Sequence, residues 1–359
     1  MLMSKVAVLK TKPETVIEDY KRLLELAEFE RQVPKHKPVI LKDNISWHFM
    51  FPGANTTPWQ LEAVIQYLSD LGYRDVSAVH NRTVVINAAL GQRENKLDCI
   101  YKKYGIRERC NFDPADMNWV VYEPKAKMLA LDKIFPEGIR IPDYFLGKSI
   151  VHLPTVKCHI YTTMTGAMKN AFGGLLNTRR HYTHSVIHET LCDLLAIQQE
   201  IHTGVFAVMD GTTCGNGPGP RCMEPVQKDY ILASADSVAI DCVSTHMMGH
   251  ELETVPCIGK AHELGLGTGR LDEIEVLGEE VRDVDFGFEV GSTFASKVGR
   301  LTWFGPLKRF QWLFFHTPVV YLFILGSFLY HDYFWFPVKG RKIVREWYET
   351  PWGQLFESY

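Results

Sequence analysis

Residues 149–189 read SIVHLPTVKCHIYTTMTGAMKNAFGGLLNTRRHYTHSVIHE. The apolar run Ser149–Leu153 has the length of a buried strand and stops at Pro154. Lys157 and His159 follow, two residues apart, so an extended chain puts both on one side. Thr165-Gly166 then opens a helix, with Thr165 as its N-cap and Lys169 and Asn170 in the first turns. A strand, a polar link and a helix in that order make the repeating unit of an α/β protein.

The same alternation extends in both directions. Residues 5–10 (KVAVLK) read as a strand, and 14–30 as an amphipathic helix with Ile17, Tyr20, Leu23, Leu24 and Ala27 on one stripe. Pro38–Leu41 is a short strand ending in Lys42-Asp43-Asn44. Thr57-Pro58 starts a helix over Trp59–Leu71, with proline near its first turn. Asp75–Val79, Trp119–Tyr122, Val205–Met209, Tyr230–Ala233 and Ile274–Val276 read as further strands, and a helix falls near 95–104. The pattern predicts an α/β fold, a mostly parallel sheet covered by helices, with two lobes around a central cleft. In such sheets ligands bind beyond the carboxyl ends of the strands. The polar strand ends Lys42-Asp43-Asn44, His80-Asn81, Lys157-Cys158-His159 and Asp210-Gly211 therefore mark one shared cleft.

Composition bounds the partners. The chain has 359 residues, 46% hydrophobic and 23% charged, with net charge -3. That is a packed globule with no basic surface for nucleic acid. None of the eight cysteines forms a C-x-x-C pair, so a built-in iron–sulfur cluster is not expected. Lys5 and Lys10 interrupt any apolar N-terminal run, which predicts a cytoplasmic protein.

Residues 1–300 are read as the α/β domain and 301–359 as an aromatic, hydrophobic extension. Within it, 312–330 (WLFFHTPVVYLFILGSFLY) has no formal charge. Lys308 and Arg309 precede that stretch, and Lys339, Arg341, Lys342 and Arg345 follow it. Pro318 and Gly326 weaken a straight helix. Two readings stand: residues 301–340 dock on the inner face of a membrane, or they pack on the core or in a homodimer interface.

The chemistry concentrates in the opening stretch. Free N–H groups at a helix start, with Lys157 and Lys169 near, suit a small phosphate- or carboxylate-bearing ligand. Lys42, Asn44, Thr165, Gly166 and Asn170 complete the expected binding set. His159, Lys169 and Asp210 are the catalytic candidates, His159 because imidazole titrates near neutral pH. His159, His181, His184 and Asp241 are candidate ligands of a divalent metal. His184 and His188 are four apart and share a face if helical, and His181 precedes His184 by three. The plain alternative is a solvated helix face. Asp236 reads as an N-cap, and the glycine-rich His262–Gly269 as a tight loop.

These stretches together resemble the family known as domain of unknown function 362. The resemblance rests on Val39–Asn44 with Thr57-Pro58, Pro154–His159, Thr165–Gly173, Asp210 with Gly217-Pro218-Gly219, Ser234–Asp241 and Gly265-Leu266-Gly267, across residues 5–280. The family is often joined to ferredoxin-type iron–sulfur modules, so the resemblance implies a ferredoxin-like redox partner. Where the family shows Lys-Pro-Asn, this chain has Lys42-Asp43-Asn44. A more distant likeness is to nickel-pincer lactate racemases, in which a histidine is followed ten residues later by a lysine that holds the cofactor. His159 and Lys169 keep that spacing, with His181 or His184 downstream. The combined expectation is an enzyme of isomerase or oxidoreductase type acting on a small anionic substrate or cofactor. The alternatives are an iron–sulfur-associated electron-transfer or membrane-docked accessory protein, and a metal carrier or maturation protein.

Overall fold

The computed structural model describes residues 3–83 and 85–359. Its strands are β1 (Ser4–Lys10), β2 (Val39–Asp43), β3 (Val76–His80), β4 (Arg107–Cys110), β5 (Trp119–Tyr122), β6 (Ile139–Pro142), β7 (Ser149–Leu153), β8 (Thr155–His159), β9 (Thr163–Met164), β10 (Val205–Asn216), β11 (Glu224–Ser234) and β12 (Ile274–Gly278). Among the described residues, ten strands share one sheet, whose main path runs β12-β1-β11-β10-β7-β2-β3-β4. Five of the neighbour pairs along this path are parallel, and β11 runs antiparallel to both β1 and β10. The α/β class and the mostly parallel sheet are those read from the sequence.

Strand alternation divides the interior. Val6, Val8, Ile40 and Ile150 enter the core on one face, while Ala7, Leu9, Val39, Leu41 and Val151 enter the core on the other. Helices cover both faces, which is why these strands are apolar throughout rather than alternating. The helix Pro58–Asp70 starts as its sequence predicts, with Thr57 and Gln60 closing a capping box.

Several local expectations are corrected. The helix over 14–30 breaks into Val16–Leu26 and Phe29–Gln32 around Glu28, whose φ is +54°. The strand Trp119–Tyr122 lies off the main sheet and pairs antiparallel with β6. The link after Pro154 is itself a strand, β8, which pairs with β10.

The C-terminal segment begins with the helix Phe294–Trp303 and continues through Pro306–Phe315 and Val320–Tyr348 to the helix Pro351–Ser358. Trp347, Trp352 and Phe356 are buried in the sheet's second core. The Trp352 ring lies 5.1 Å from that of Trp59, and its Nε1 donates to Asp229 Oδ1 at 2.7 Å. Trp335 packs between Trp47 and Phe51. The end of the chain is thus part of the globule. Among the described residues no single helix is long and apolar enough to cross a membrane. The stretches Pro306–Phe315 and Val320–Tyr348 together have the length and composition, but they meet at a bend of 98°.

Candidate functional site

The site is assembled at the carboxyl ends of β2 and β3, from four separate segments. β2 delivers Lys42, Asp43 and Asn44, and the helix Gly166–Asn170 delivers Lys169 and Asn170. The turn after it supplies Arg180, and the loop after Gly217-Pro218-Gly219-Pro220 supplies Arg221. Together they line a cavity of about 240 Å³, with Ser46, Asn81, Thr83, Thr165 and Thr178 among its other polar walls.

Asp43 is committed before it reaches this cavity. His80 Nδ1 lies 3.1 Å from its Oδ2, Tyr101 donates to the same oxygen, and Lys42 Nζ lies 3.4 Å from Oδ1. Burial alone would raise the carboxyl, but His80 and Lys42 outweigh it and hold it down at about 2. Burial alone would lower His80, and Asp43 reverses that, raising it to about 9.

The cations further in have no such partner. Among the described residues no carboxylate lies within 4 Å of Lys169, Arg180 or Arg221. Lys169 Nζ donates to no polar group among the described residues and sits 5.6 Å from the Phe172 ring centroid. Burial, with the nearby Arg180 charge, pushes the Lys169 ammonium down to about 8. Burial likewise brings Arg180 down to about 10. Arg221 donates through Nη2 to Ser327 Oγ at 3.0 Å, while its buried Nη1 has no partner. The buried Thr165 Oγ1 is also unpartnered. Buried polar atoms rarely go unsatisfied in a native fold, so two on one cavity wall mark a place for a ligand.

The helix that carries Lys169 is held from outside the cavity. Gly166 has φ +64°, and the backbone N–H groups of Ala167 and Met168 donate to the two oxygens of Asp241 at 2.5 and 3.0 Å. Burial raises Asp241 to about 7 against the pull of those N–H groups. Asp236 caps the helix Ser237–Met247 through Val238 and Ala239 N–H, as expected.

The structure sorts the residues singled out in the sequence. Lys42, Asn44, Thr165, Lys169 and Asn170 all line the cavity. Thr165 does so without capping the helix, because its hydroxyl makes no bond to the backbone. Lys157 is turned away. Its Nζ donates to Asn44 Oδ1, Ala54 O and Thr155 Oγ1 at 2.5, 2.6 and 2.9 Å, which uses all three hydrogens. Asp210 is not brought to the site. Tyr20, Thr57, Trp59 and Thr212 all donate to its carboxylate within the core. Gly166 lies behind the site as the turn that admits Asp241.

A metal centre built from His159, His181, His184 and Asp241 is not assembled. Among the described residues no group of three or more His, Cys, Asp or Glu side chains converges on one point. Asp241 is occupied by two N–H groups, and both ring nitrogens of His181 face backbone carbonyls, Thr178 O at 3.0 Å and Phe315 O at 3.1 Å. Residues 178–186 wind as a 3₁₀ helix, so the four-residue α spacing of His184 and His188 is not realised. These histidines instead hold the C-terminal segment. The His184 ring stacks on Trp303 at 5.0 Å, and Tyr182 stacks on His316 at 3.7 Å. His159 accepts from Tyr161 N through Nδ1, and it faces a second cavity rather than Lys169's.

Sequence reading gave Arg180 no role in the site, and it missed Arg221 altogether. Only the preceding Gly-Pro-Gly-Pro run, which makes a tight loop, pointed toward it. Asp43 and His80 were visible as polar strand ends, but not as a pair.

Comparison with known proteins gives a short list. The family model described as domain of unknown function (DUF362) matches residues 39–246, which include every strand except β1 and β12. The thylakoid-associated protein sll1697 of Synechocystis sp. is 27% identical over 120 residues. That match spans 33% of this chain and 37% of the Synechocystis protein's length. No solved structure matches the chain.

Proposed function

The chain belongs to the DUF362 family, and from that premise we propose that its family core is an enzyme acting on a small anionic substrate or cofactor held around Lys169. The observation that carries this is the set Lys169, Arg180 and Arg221. These are three cations on one cavity of about 240 Å³ that form no ion pair among the described residues: the cavity's Asp43 is taken up by His80 and Lys42, and Asp332 acts on Arg221 only at longer range. Unpaired buried charge is costly, and a phosphate or carboxylate is the counter-ion that offsets it. The whole chain carries net charge -3, so this positive site is local and not a reflection of composition.

Lys169 supports the catalytic part of the reading. An ammonium brought down to about 8 stays mostly protonated at pH 7, where it pairs with an anion, yet it loses its proton far more readily than an ordinary lysine and so can serve as a base or nucleophile. Such a group abstracts or returns a proton beside an anionic substituent, the chemistry of an isomerase or of a redox enzyme's substrate half-reaction. The four expected metal ligands do not converge, so no step is routed through a metal.

The test is calorimetric titration of the purified chain with sulfate, inorganic phosphate and lactate, alongside Lys169→Gln and Arg180→Gln. Binding of one of these anions that each substitution weakens at least tenfold, with circular dichroism unchanged, supports the site. Binding that both substitutions leave intact overturns it.

A second reading concerns location. Trp312, Tyr321 and Leu322 are 70%, 69% and 68% exposed, and Leu325, Leu329, Tyr333, Phe334 and Val338 are also exposed. The exposed cations Lys308, Arg309, Lys339, Arg341 and Arg345 flank them. An apolar face rimmed by basic residues fits an anionic lipid surface. The relative named as thylakoid-associated agrees with a membrane location. Because Trp347 and Trp352 are core residues, truncation is a poor test. Co-sedimentation with phosphatidylglycerol vesicles, lost in the double variant Trp312→Glu/Leu322→Glu, supports docking. Equal sedimentation of both proteins contradicts it.

A further inference from the structure

The wall that closes the cationic cavity on one side opens a second cavity on the other. Val85, His181, His184, Pro220 and Arg221 line both. The second cavity has a volume of about 480 Å³ and lies under the C-terminal segment. Val298, Trp303, Phe315, Phe323 and Ile324 give it apolar walls. His159 and His184 stand on its inner side, and burial pushes both down, His184 to about 4, so both are neutral near pH 7. Arg221 spans the junction, with Nη2 on Ser327 of the roof and Nη1 unpartnered.

Polarity therefore changes sharply across one partition. On one side are Lys169 and Arg180, and on the other are mainly apolar walls, with His159, His184, Thr302 and Ser327 among them. Protein interiors are close-packed, and an apolar void of this size forfeits contacts along its whole lining. Its volume falls within the range of ligand pockets, about 300–1,000 Å³. A wholly polar ligand would fill the cationic cavity and leave the larger one empty.

We propose that the ligand of the Lys169 site is an anionic amphiphile. Its phosphate- or carboxylate-type head pairs with Lys169, Arg180 and Arg221, and its hydrocarbon chain passes the His184–Arg221 junction into the cavity beneath the C-terminal segment. This rests on the anion-site reading above and adds the apolar half of the molecule. The roof has a matching outer face. The helix Val320–Phe328 lines the cavity with Val320, Leu322, Phe323 and Ile324, and exposes Tyr321 and Leu325 outward, with Leu322 at the rim reaching both sides. A segment apolar on both sides suits transfer of a lipid-like molecule from a membrane surface into the protein.

The experiment compares n-decyl phosphate, kept below its micelle concentration, with inorganic phosphate on the full chain by titration calorimetry. Val298→Trp and Ile324→Trp fill the cavity from separate helices. The wild-type protein should bind decyl phosphate at least about 100-fold more tightly than inorganic phosphate, the factor supplied by burying a few methylene groups. Each tryptophan variant should lose that advantage and keep inorganic phosphate affinity unchanged, which also shows that it is folded. Equal affinities in the wild type overturn the amphiphile and leave the anion site standing. A decyl advantage that survives both tryptophans places the chain elsewhere and also overturns it. Failure of both probes to bind removes the anion-site reading itself.

Discussion

The Asp43 carboxylate lies 3.1 Å from His80 Nδ1, across the carboxyl ends of the neighbouring parallel strands β2 and β3. This pair sets the charge of the site. With Asp43 neutralised by His80 and Lys42, no carboxylate among the described residues forms an ion pair with Lys169, Arg180 or Arg221, and Asp332 acts on Arg221 only from further off. The cavity is left positive.

Removing His80 strands a buried carboxylate. His80→Ala is expected to destabilise the fold by about 3–5 kcal/mol, the usual consequence of breaking a buried pair from one side. Chemical denaturation measures it. His80 sits at about 9 in the fold, above its ordinary 6.5, so its contribution is complete below pH 6.5 and is lost as pH rises through 9. The difference between wild type and variant should therefore shrink toward alkaline pH. A constant difference from pH 6 to 10 contradicts the pairing.

Asp241 acts in the same sense but at lower pH. Its folded value is about 7 against an ordinary 3.8, so the protonated form favours the folded state. The stability it supplies is full below about pH 4 and is lost as pH rises to 7. Asp241→Asn should flatten this part of the stability profile. Gly166→Ala should cost about 1–3 kcal/mol or more, because φ +64° is unfavourable for alanine and its Cβ meets the Asp241 carboxylate. A Gly166→Ala protein with an unchanged melting temperature would show that the turn differs from the one described.

Anion affinity should depend on pH through Lys169. Only the ammonium form attracts an anion, and that form is lost as pH rises through about 8. Sulfate keeps its charge across this range, so its dissociation constant should rise between pH 7 and 9 in the wild type. In Lys169→Gln it should be weak and flat. A wild-type profile as flat as the variant's counts against Lys169 as the contact.

The histidines of the 3₁₀ turn should matter for the C-terminal segment rather than for metal. His181→Ala loses the contact to Phe315 O, and His184→Ala loses the stack on Trp303. Limited proteolysis between residues 303 and 318 should speed up in both. Elemental analysis of wild type and variants should show no metal lost with either histidine. Stoichiometric metal in the wild type that disappears in both variants contradicts this.

The sequence disclosed the parts of the fold that local chemistry decides. Short apolar runs such as Val39–Leu41 and Ser149–Leu153 are strands because both of their faces are buried. Thr57-Pro58 starts a helix because capping and proline geometry are local. Strand-end polarity found Lys42 and Asn44, and the helix start at Thr165-Gly166 found Lys169 and Asn170, since the α/β layout directs such residues to one edge. Lys157 and Asp210 satisfied the same rule and were misplaced by it. Whether a strand-end charge meets solvent, a ligand or an internal partner depends on what other segments bring, here Ala54 O for Lys157 and Tyr20 for Asp210. The partner of β5 is β6, reached through a long link that holds the helix Leu131–Ile134 rather than a hairpin turn, so its place off the main sheet was not legible. The same holds for the exposed tail. Composition showed an apolar segment with basic flanks, but only the packing of Trp335, Trp347 and Trp352 shows that its end belongs to the core.

The account turns on Lys169 as an unpaired ammonium in an anion-binding cavity. Its titration can be read directly by NMR after reductive ¹³C-methylation of the lysines, with the signal assigned through Lys169→Arg. The account predicts one resonance titrating near 8 that moves to higher pH when sulfate is added. A Lys169 signal that titrates with the surface lysines and ignores sulfate would contradict it.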